Sequence, residues 1–224
     1  MEDINKKNIS IAFSCLILFA VISVLSLFNQ LVFLDETLIS WLTEGVPSVV
    51  VSFMEIITVI GSGEAILILT GIVGVYFLYK KMWNHAVFLI VLTGGGVALN
   101  FILKILFQRE RPGESSVIEF FGYSLEIPSY SFPSGHAMRS VILFSFLIYL
   151  AYRQLENNTA KVSAAAVFGG LIILVALSRI ITGAHFPSDI LAAAIISIAW
   201  LNVCLFTFRV WGEKKLPVKS TSSI

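Results

Sequence analysis

A bundle of six membrane-spanning helices is the fold class that this sequence predicts. Three observations point there. Only 13% of the 224 residues are charged, against about 25% in a soluble domain, too few to coat a water-soluble globule of this size. Mean hydropathy is +0.91, and 57% of the residues are hydrophobic. The apolar residues gather into runs of roughly 20, the length a helix needs to cross the hydrocarbon core of a bilayer. The same figures exclude disorder, which requires a polar, charged chain. Two cysteines are too few for a disulfide scaffold, and a net charge of +1 leaves no electrostatic footprint for nucleic acid. The length suits a single domain over residues 1–224.

The first span runs from about Ile9 to Phe28. Lys6 and Lys7 stand before it as in a signal peptide, but the apolar run is longer than the roughly 7–15 residues of a signal segment. No clear small-x-small cleavage site follows, so it is read as an uncleaved helix. The second span begins after Glu64 and ends at Lys80-Lys81, and the third covers Ala86 to Leu103. The fourth runs from His136 to Tyr152-Arg153, the fifth from Val162 to Leu177 and the sixth from Ile190 to Phe208. Between the first two, the apolar stretch Val46 to Ile60 carries Glu55 and has Pro47 at its start. It is expected as a short helix against the bundle or in the interface. Cys15 and Cys204 fall within spans, as small apolar fillers.

Six spans place both termini on one side. That side holds Lys6, Lys7, Lys80, Lys81, Arg153, Lys161, Arg209, Lys214, Lys215 and Lys219, ten of the fifteen basic residues. The positive-inside rule therefore puts the termini in the cytoplasm. Asp35, Glu36, Glu44, Glu55 and Glu64 all precede the second span. The other five cations, Lys104, Arg109, Arg111, Arg139 and Arg179, lie near the outer ends of spans three, four and five. That face should be poor in positive charge, and an anionic ligand is the simplest reason for it.

Three segments there can carry chemistry. Lys104 and Arg111 are seven residues apart, about 20° short of two helical turns. If the third helix continues through Arg111, both project from one face, and Pro112 ends it. Snorkelling of cations to headgroups accounts for the pair equally well. Arg109, two residues from Arg111, should then point elsewhere. In the second segment, Phe132-Pro133-Ser134-Gly135-His136, Ser134 is a favoured N-cap and Gly135 allows close backbone approach. Free N–H groups at a helix start bind anions, and His136 would stand in the first turn; an ordinary Pro-Ser helix start is the plain alternative. Arg139, one turn on, could line the rim. In the third segment, Ser178 to Asp189, His185 and Asp189 are four apart, so one helical turn could join imidazole and carboxylate. Such a carboxylate fixes the tautomer and leaves the other ring nitrogen as nucleophile or base. With three histidines in the chain and cationic surroundings, a metal site is disfavoured. His85, near the inner start of the third span, reads as structural. The loop from Gln108 to Phe132, with Glu110, Glu114, Glu119, Glu126, Phe120, Phe121, Tyr123 and Tyr130, suits a lid at headgroup level or a solvated connector.

Together the segments resemble the three-part signature of the type 2 phosphatidic acid phosphatase family. They match as Lys104-x6-Arg111-Pro112, then Pro133-Ser134-Gly135-His136, then Ser178-Arg179-x5-His185-x3-Asp189. The resemblance implies a phosphatase with no metal or other cofactor. By it, Lys104, Arg111 and Arg179 would hold the phosphate oxygens, with hydrogen bonds from Ser134 and the Gly135 backbone. His185 would attack phosphorus to give a phosphohistidine, Asp189 would orient it, and His136 would protonate the leaving oxygen. Preorganised cations would then stabilise the charge that metals neutralise elsewhere.

The expected substrate is a membrane lipid phosphate of the phosphatidylglycerophosphate or phosphatidic acid type, met at the outer face of the bilayer. Undecaprenyl diphosphate is an alternative substrate, and a lipid phosphotransferase would use the same site. A transporter with an anion site would want polar groups near the bilayer midplane and an internal repeat. Only Gly94-Gly95-Gly96 and Asn100 favour it, and small residues ordinarily serve close helix packing. No nucleic-acid role is expected, and nothing names a protein partner.

Overall fold

The computed structural model describes residues 2–112, 118–120, 123–125 and 130–214, excluding the side chains of residues 2–4, 118–120, 123–125 and 209–214. Its helices are α1 (Glu2–Leu27), α2 (Val32–Thr43), α3 (Ser48–Thr58), α4 (Gly63–Tyr79), α5 (Trp83–Phe107), α6 (Gly135–Gln154), α7 (Asn158–Ile181) and α8 (Pro187–Lys214). A 3-10 turn at Val59–Gly61 joins α3 to α4. Strands β1 (Ile118–Phe120) and β2 (Tyr123–Leu125) pair antiparallel, with Phe120 opposite Tyr123. Part of the expected lid, including Glu114, Phe121 and Glu126, lies outside the described residues.

All six expected spans are helices, and α1, α5, α6, α7 and α8 are long and apolar enough to cross a bilayer. Helix α4 has 17 residues, about 25 Å at 1.5 Å per residue, slightly short of a hydrocarbon core of about 30 Å. The chain is a multi-pass membrane protein. Phe13, Ile72, Ile90, Leu106 and Ile173 are each more than half exposed, a surface suited to acyl chains and not to water.

Val46–Ile60 does form the expected short helix as α3, whereas α2 before it was not expected. The two meet at a bend of 115°. Gly45 sits at φ +71°, in the left-handed region that favours glycine, and Pro47 locks the next entry into an extended conformation. Helix α3 then lies against α7, while α2 touches α7 and α8.

Helix α6 is the hub, packed on α5, α7 and α8. Met138, Leu143, Phe144 and Phe146 on it are essentially fully buried. Ala192, Ala193 and Ala199 on α8 are also buried, and their small size lets the helices approach. The glycine run does the same on α5. A Cβ at Gly95 would lie 2.4 Å from the Trp200 ring, and one at Gly96 would lie 2.4 Å from the Ile142 methyl. Trp200 is held in that position by its indole N–H, which donates to the Leu92 carbonyl at 2.9 Å. His85 packs beside Phe77 at 5.5 Å and Phe208 at 6.5 Å, the structural setting expected for it.

The contrast within the glycine run is testable. Gly95→Ala should lower the melting temperature in detergent, since overpacking against a ring that cannot turn away costs about 1–3 kcal/mol. Gly94→Ala, whose Cβ would meet nothing within 4 Å, should leave melting unchanged or raise it. Equal effects from the two variants would refute the packing account.

Candidate active site

The three signature segments meet where α5, α6, α7 and α8 converge. Helix α5 does not continue through Arg111. It ends at Phe107, Gln108 adopts φ +44°, and its N–H closes on the Lys104 carbonyl. Pro112 disfavours a helical residue before it, and Arg109 finds charged partners only if the chain leaves the helix. Lys104, in the last helical turn, donates Nζ to the Tyr130 carbonyl at 2.5 Å. Arg111 stands beyond the helix end, half-buried.

The second segment is tied to both others by its backbone. Ser131 N–H donates to the Arg109 carbonyl at 2.7 Å, and Ser134 N–H donates to the Asp189 carbonyl at 3.3 Å. Asn100 donates to the Pro133 carbonyl at 3.1 Å, which gives this buried amide a structural partner. Ser134 is fully buried and caps α6, accepting from Ala137 N–H at 3.5 Å. His136 follows in the first turn, as expected. A Cβ on Gly135 would lie 3.1 Å from Asn100 Oδ1 and 3.3 Å from Arg139 Nη1. A larger residue there would push on both side chains, which would have to give by a few tenths of an ångström.

In the third segment His185 and Asp189 do not share a helical turn. Pro187 opens α8, so Asp189 lies in its first turn and His185 precedes it. Gly183 at φ +69° folds the chain back, and Ala184 and His185 N–H both donate to the Arg179 carbonyl, at 3.0 and 3.1 Å. The pairing survives this change. His185 Nδ1 is 3.6 Å from Asp189 Oδ2 and 3.3 Å from Ser131 Oγ. Asp189 is buried and fully engaged. Its Oδ2 accepts from Phe186 N–H at 2.9 Å and from the Ser131 hydroxyl, and its Oδ1 accepts from Arg109 Nη1 at 2.6 Å.

The remaining cations are held mainly by neutral oxygens. Arg179 Nη1 donates to Thr58 Oγ1 at 2.7 Å, and Arg139 Nη2 lies 3.4 Å from the Gly61 carbonyl. The Nε atoms of both are buried with no partner among the described residues. Lys104 lies in the field of Arg111, Arg139 and Arg179, and His136 in that of Arg179, Arg139, His185 and Arg111. All eight expected residues therefore converge, and Arg139 joins them. Positive charge concentrated in this way calls for an anion. Among the described residues no group of three His, Cys, Asp or Glu suits a metal ion.

Burial pushes the His185 imidazole down to about pH 4, aided by Arg111 and Arg179 and opposed by Asp189. It is therefore neutral at physiological pH. With Nδ1 turned toward Asp189, Nε2 is the nitrogen left to act.

Three residues of this site were not foreseen. Ser131, and Asp35 of α2, whose Oδ2 accepts from Arg109 Nη2 at 2.9 Å, gave no sequence signal, since a lone serine and an acid in an apolar run are commonplace. Arg109 was one of the five anomalous outer cations and was expected to point away from Arg111, but its carboxylate partners were not foreseen.

A family model described as the PAP2 superfamily matches residues 85–212, more than half of the chain and all three segments. The chain belongs to the PAP2 superfamily. This PAP2 chain is 31% identical over 137 residues to phosphatidylglycerophosphatase B of Bacillus subtilis (strain 168), a stretch covering 60% of this chain and 64% of that relative. The match thus spans slightly less than two thirds of the relative's length. The fold is shared with the crystal structure of a transmembrane PAP2 type phosphatidylglycerolphosphate phosphatase from Bacillus subtilis. There the TM-score is 0.74 at 24% identity, covering 93% of this chain and 98% of that one. Aquifex aeolicus LpxE matches with a TM-score of 0.56 at 23% identity, over 77% of this chain and 94% of the other.

The imidazole can be titrated directly. In ¹⁵N-histidine spectra of the PAP2 chain, one ring should stay neutral until about pH 4 and vanish as a separate signal in His185→Ala. Arg111→Gln should move its midpoint upward, because a cation that opposes protonation is gone. A midpoint near 6.5 for every histidine would contradict the site as described.

Proposed function

We propose that the PAP2 chain hydrolyses a phosphate monoester or diphosphate of a membrane lipid, without a metal, through a phosphohistidine. The observation that carries this reading is a buried, neutral imidazole, backed by Asp189 on one nitrogen and set among the cations Lys104, Arg111 and Arg179. His185 Nε2 donates its electron pair to phosphorus as the bond to the leaving oxygen breaks. His136 gives that oxygen a proton. Water then attacks phosphorus, its proton passes to His136, and the P–N bond breaks to release orthophosphate and restore His185. The cations hold the equatorial oxygens, where charge accumulates in the transition state. The Ser134-Gly135 start of α6 adds N–H donors, as helix N-termini do for anions.

The substrate proposed is phosphatidylglycerophosphate, in line with the activity named for the 31%-identical relative, with phosphatidic acid next. Acyl chains would remain among the exposed apolar helices while the phosphate reaches the cations. The whole chain is proposed as one catalytic unit, supported by the packing of α1 along α8. Both termini are proposed to lie in the cytoplasm and the site on the outer side, a reading supported by the distribution of basic residues.

Purified protein in detergent with EDTA should release phosphate from phosphatidylglycerophosphate, and His185→Ala should lose at least about 10³-fold in kcat. Activity that EDTA abolishes, or that survives in His185→Ala, would overturn the mechanism. Equal release from undecaprenyl diphosphate would overturn the substrate assignment. For sidedness, a membrane-impermeant thiol reagent on intact cells should spare a cysteine added after Ile224 and label it only once the membrane is opened.

A further inference from the structure

Asp35 is buried in α2, fifty residues before the stretch matched by the family model begins. Its carboxylate is an acceptor on every side. Oδ1 accepts from Ser188 N–H at 2.8 Å. Oδ2 accepts from Ser188 Oγ at 2.6 Å and from Arg109 Nη2 at 2.9 Å. The other arm of Arg109, Nη1, reaches Ser188 Oγ at 2.7 Å and Asp189 Oδ1 at 2.6 Å. The same guanidinium lies 4.3 Å over the Phe186 ring. Arg109 therefore grips Phe186, Ser188 and Asp189, the residues that follow His185 in the chain, and Asp35 fixes the far side of Arg109.

We infer that Arg109, together with Asp35 on a helix outside the three signature segments, is a positioning residue that holds the Asp189–His185 pair in its attacking geometry. This rests on the phosphatase reading above for its meaning, but its geometry stands independently. An arginine bridging two carboxylates through both Nη atoms has one orientation available, unlike a lysine. Neither residue needs to touch substrate. Asp35 has no access to it, because its oxygens are filled by Ser188 and Arg109. Losing the clamp should therefore leave anion binding alone and spoil only the bond that His185 must form. A misplacement of about 1 Å can cost about 10²-fold in rate.

The variants are Asp35→Asn and Ser188→Ala. The amide of Asp35→Asn turns a donor toward Arg109 or Ser188, which are donors themselves. Ser188→Ala is the gentler change, deleting the hydroxyl between Asp35 and Arg109, and it keeps the question open to measurement if Asp35→Asn fails to fold. Two inorganic anions separate positioning from binding. Orthophosphate reads the cation cradle alone. Orthovanadate reads His185 as well, since its vanadium accepts the Nε2 electron pair as a fifth ligand, with no redox change.

By calorimetry on folded protein in detergent, Asp35→Asn should weaken orthovanadate about 10-fold or more and orthophosphate by less than about twofold. On phosphatidylglycerophosphate, kcat should fall by a similar factor at unchanged KM, and Asp35→Glu should recover part of it. Ser188→Ala should move the same quantities in the same direction by a smaller factor. Wild-type vanadate affinity in both variants would overturn the inference. So would a parallel loss of both anions, which marks general damage. If wild-type protein released no phosphate from any lipid, the phosphatase reading would fall, while the vanadate-to-phosphate ratio would still decide the role of Asp35.

Discussion

The buried carboxylate of Asp189 is the constraint on which the rest of the site depends. An ionised carboxylate taken out of water without partners is too costly to persist, so the fold supplies them from several directions. Phe186 N–H comes from its own helix start, Ser131 from the segment before α6, and Arg109 from the chain after α5. Meeting the demands of this one group brings three distant parts of the sequence together. The Asp189 backbone serves the same end, since its carbonyl accepts from Ser134 N–H. Helix α6 is thereby anchored to α8 beside His136 and His185.

Arg109 and the other cations have different environments, and the difference has a physical consequence. Arg109 meets two carboxylates, so its charge is spent on the framework. Lys104, Arg139 and Arg179 meet carbonyl or hydroxyl oxygens. Those contacts orient a cation without neutralising it. Mutual repulsion among them would be relieved by an anion, the condition under which a preorganised electrostatic site gains its strength. The protein thus commits the Arg109 guanidinium to structure, while Lys104, Arg139 and Arg179 are oriented by neutral oxygens.

The membrane explains why this arrangement can persist at the end of a narrow bundle. Most of each helix presents apolar side chains outward, so polar groups are confined to where helices end and the chain turns. Gly183 and Gln108, both at positive φ, mark such turns beside the site. Small residues at Gly95, Gly96, Ala192 and Ala193 bring the helices close. The site residues at the helix ends can then reach one another. Packing in the apolar layer and chemistry at its edge are parts of one geometry.

Composition and apolar run length determined the fold class and the six expected helices, because a span needs only its own residues to satisfy its backbone in lipid. The eight candidate residues that the structure brings together could also be named from the sequence, since spacing along the chain carried the resemblance in Lys104 to Asp189. What periodicity could not supply was the path of the chain where helices stop. The partners of Arg109 could not be read because α5 ends four residues before Arg111 rather than beyond it, and the His185–Asp189 pair forms across a helix start rather than along a turn. Helix α2 went unseen, and with it Asp35, because an acid in a short apolar stretch has no local signature. Its partner Arg109 lies far along the chain, and only the tertiary structure, by burying both charges together, decided that they meet.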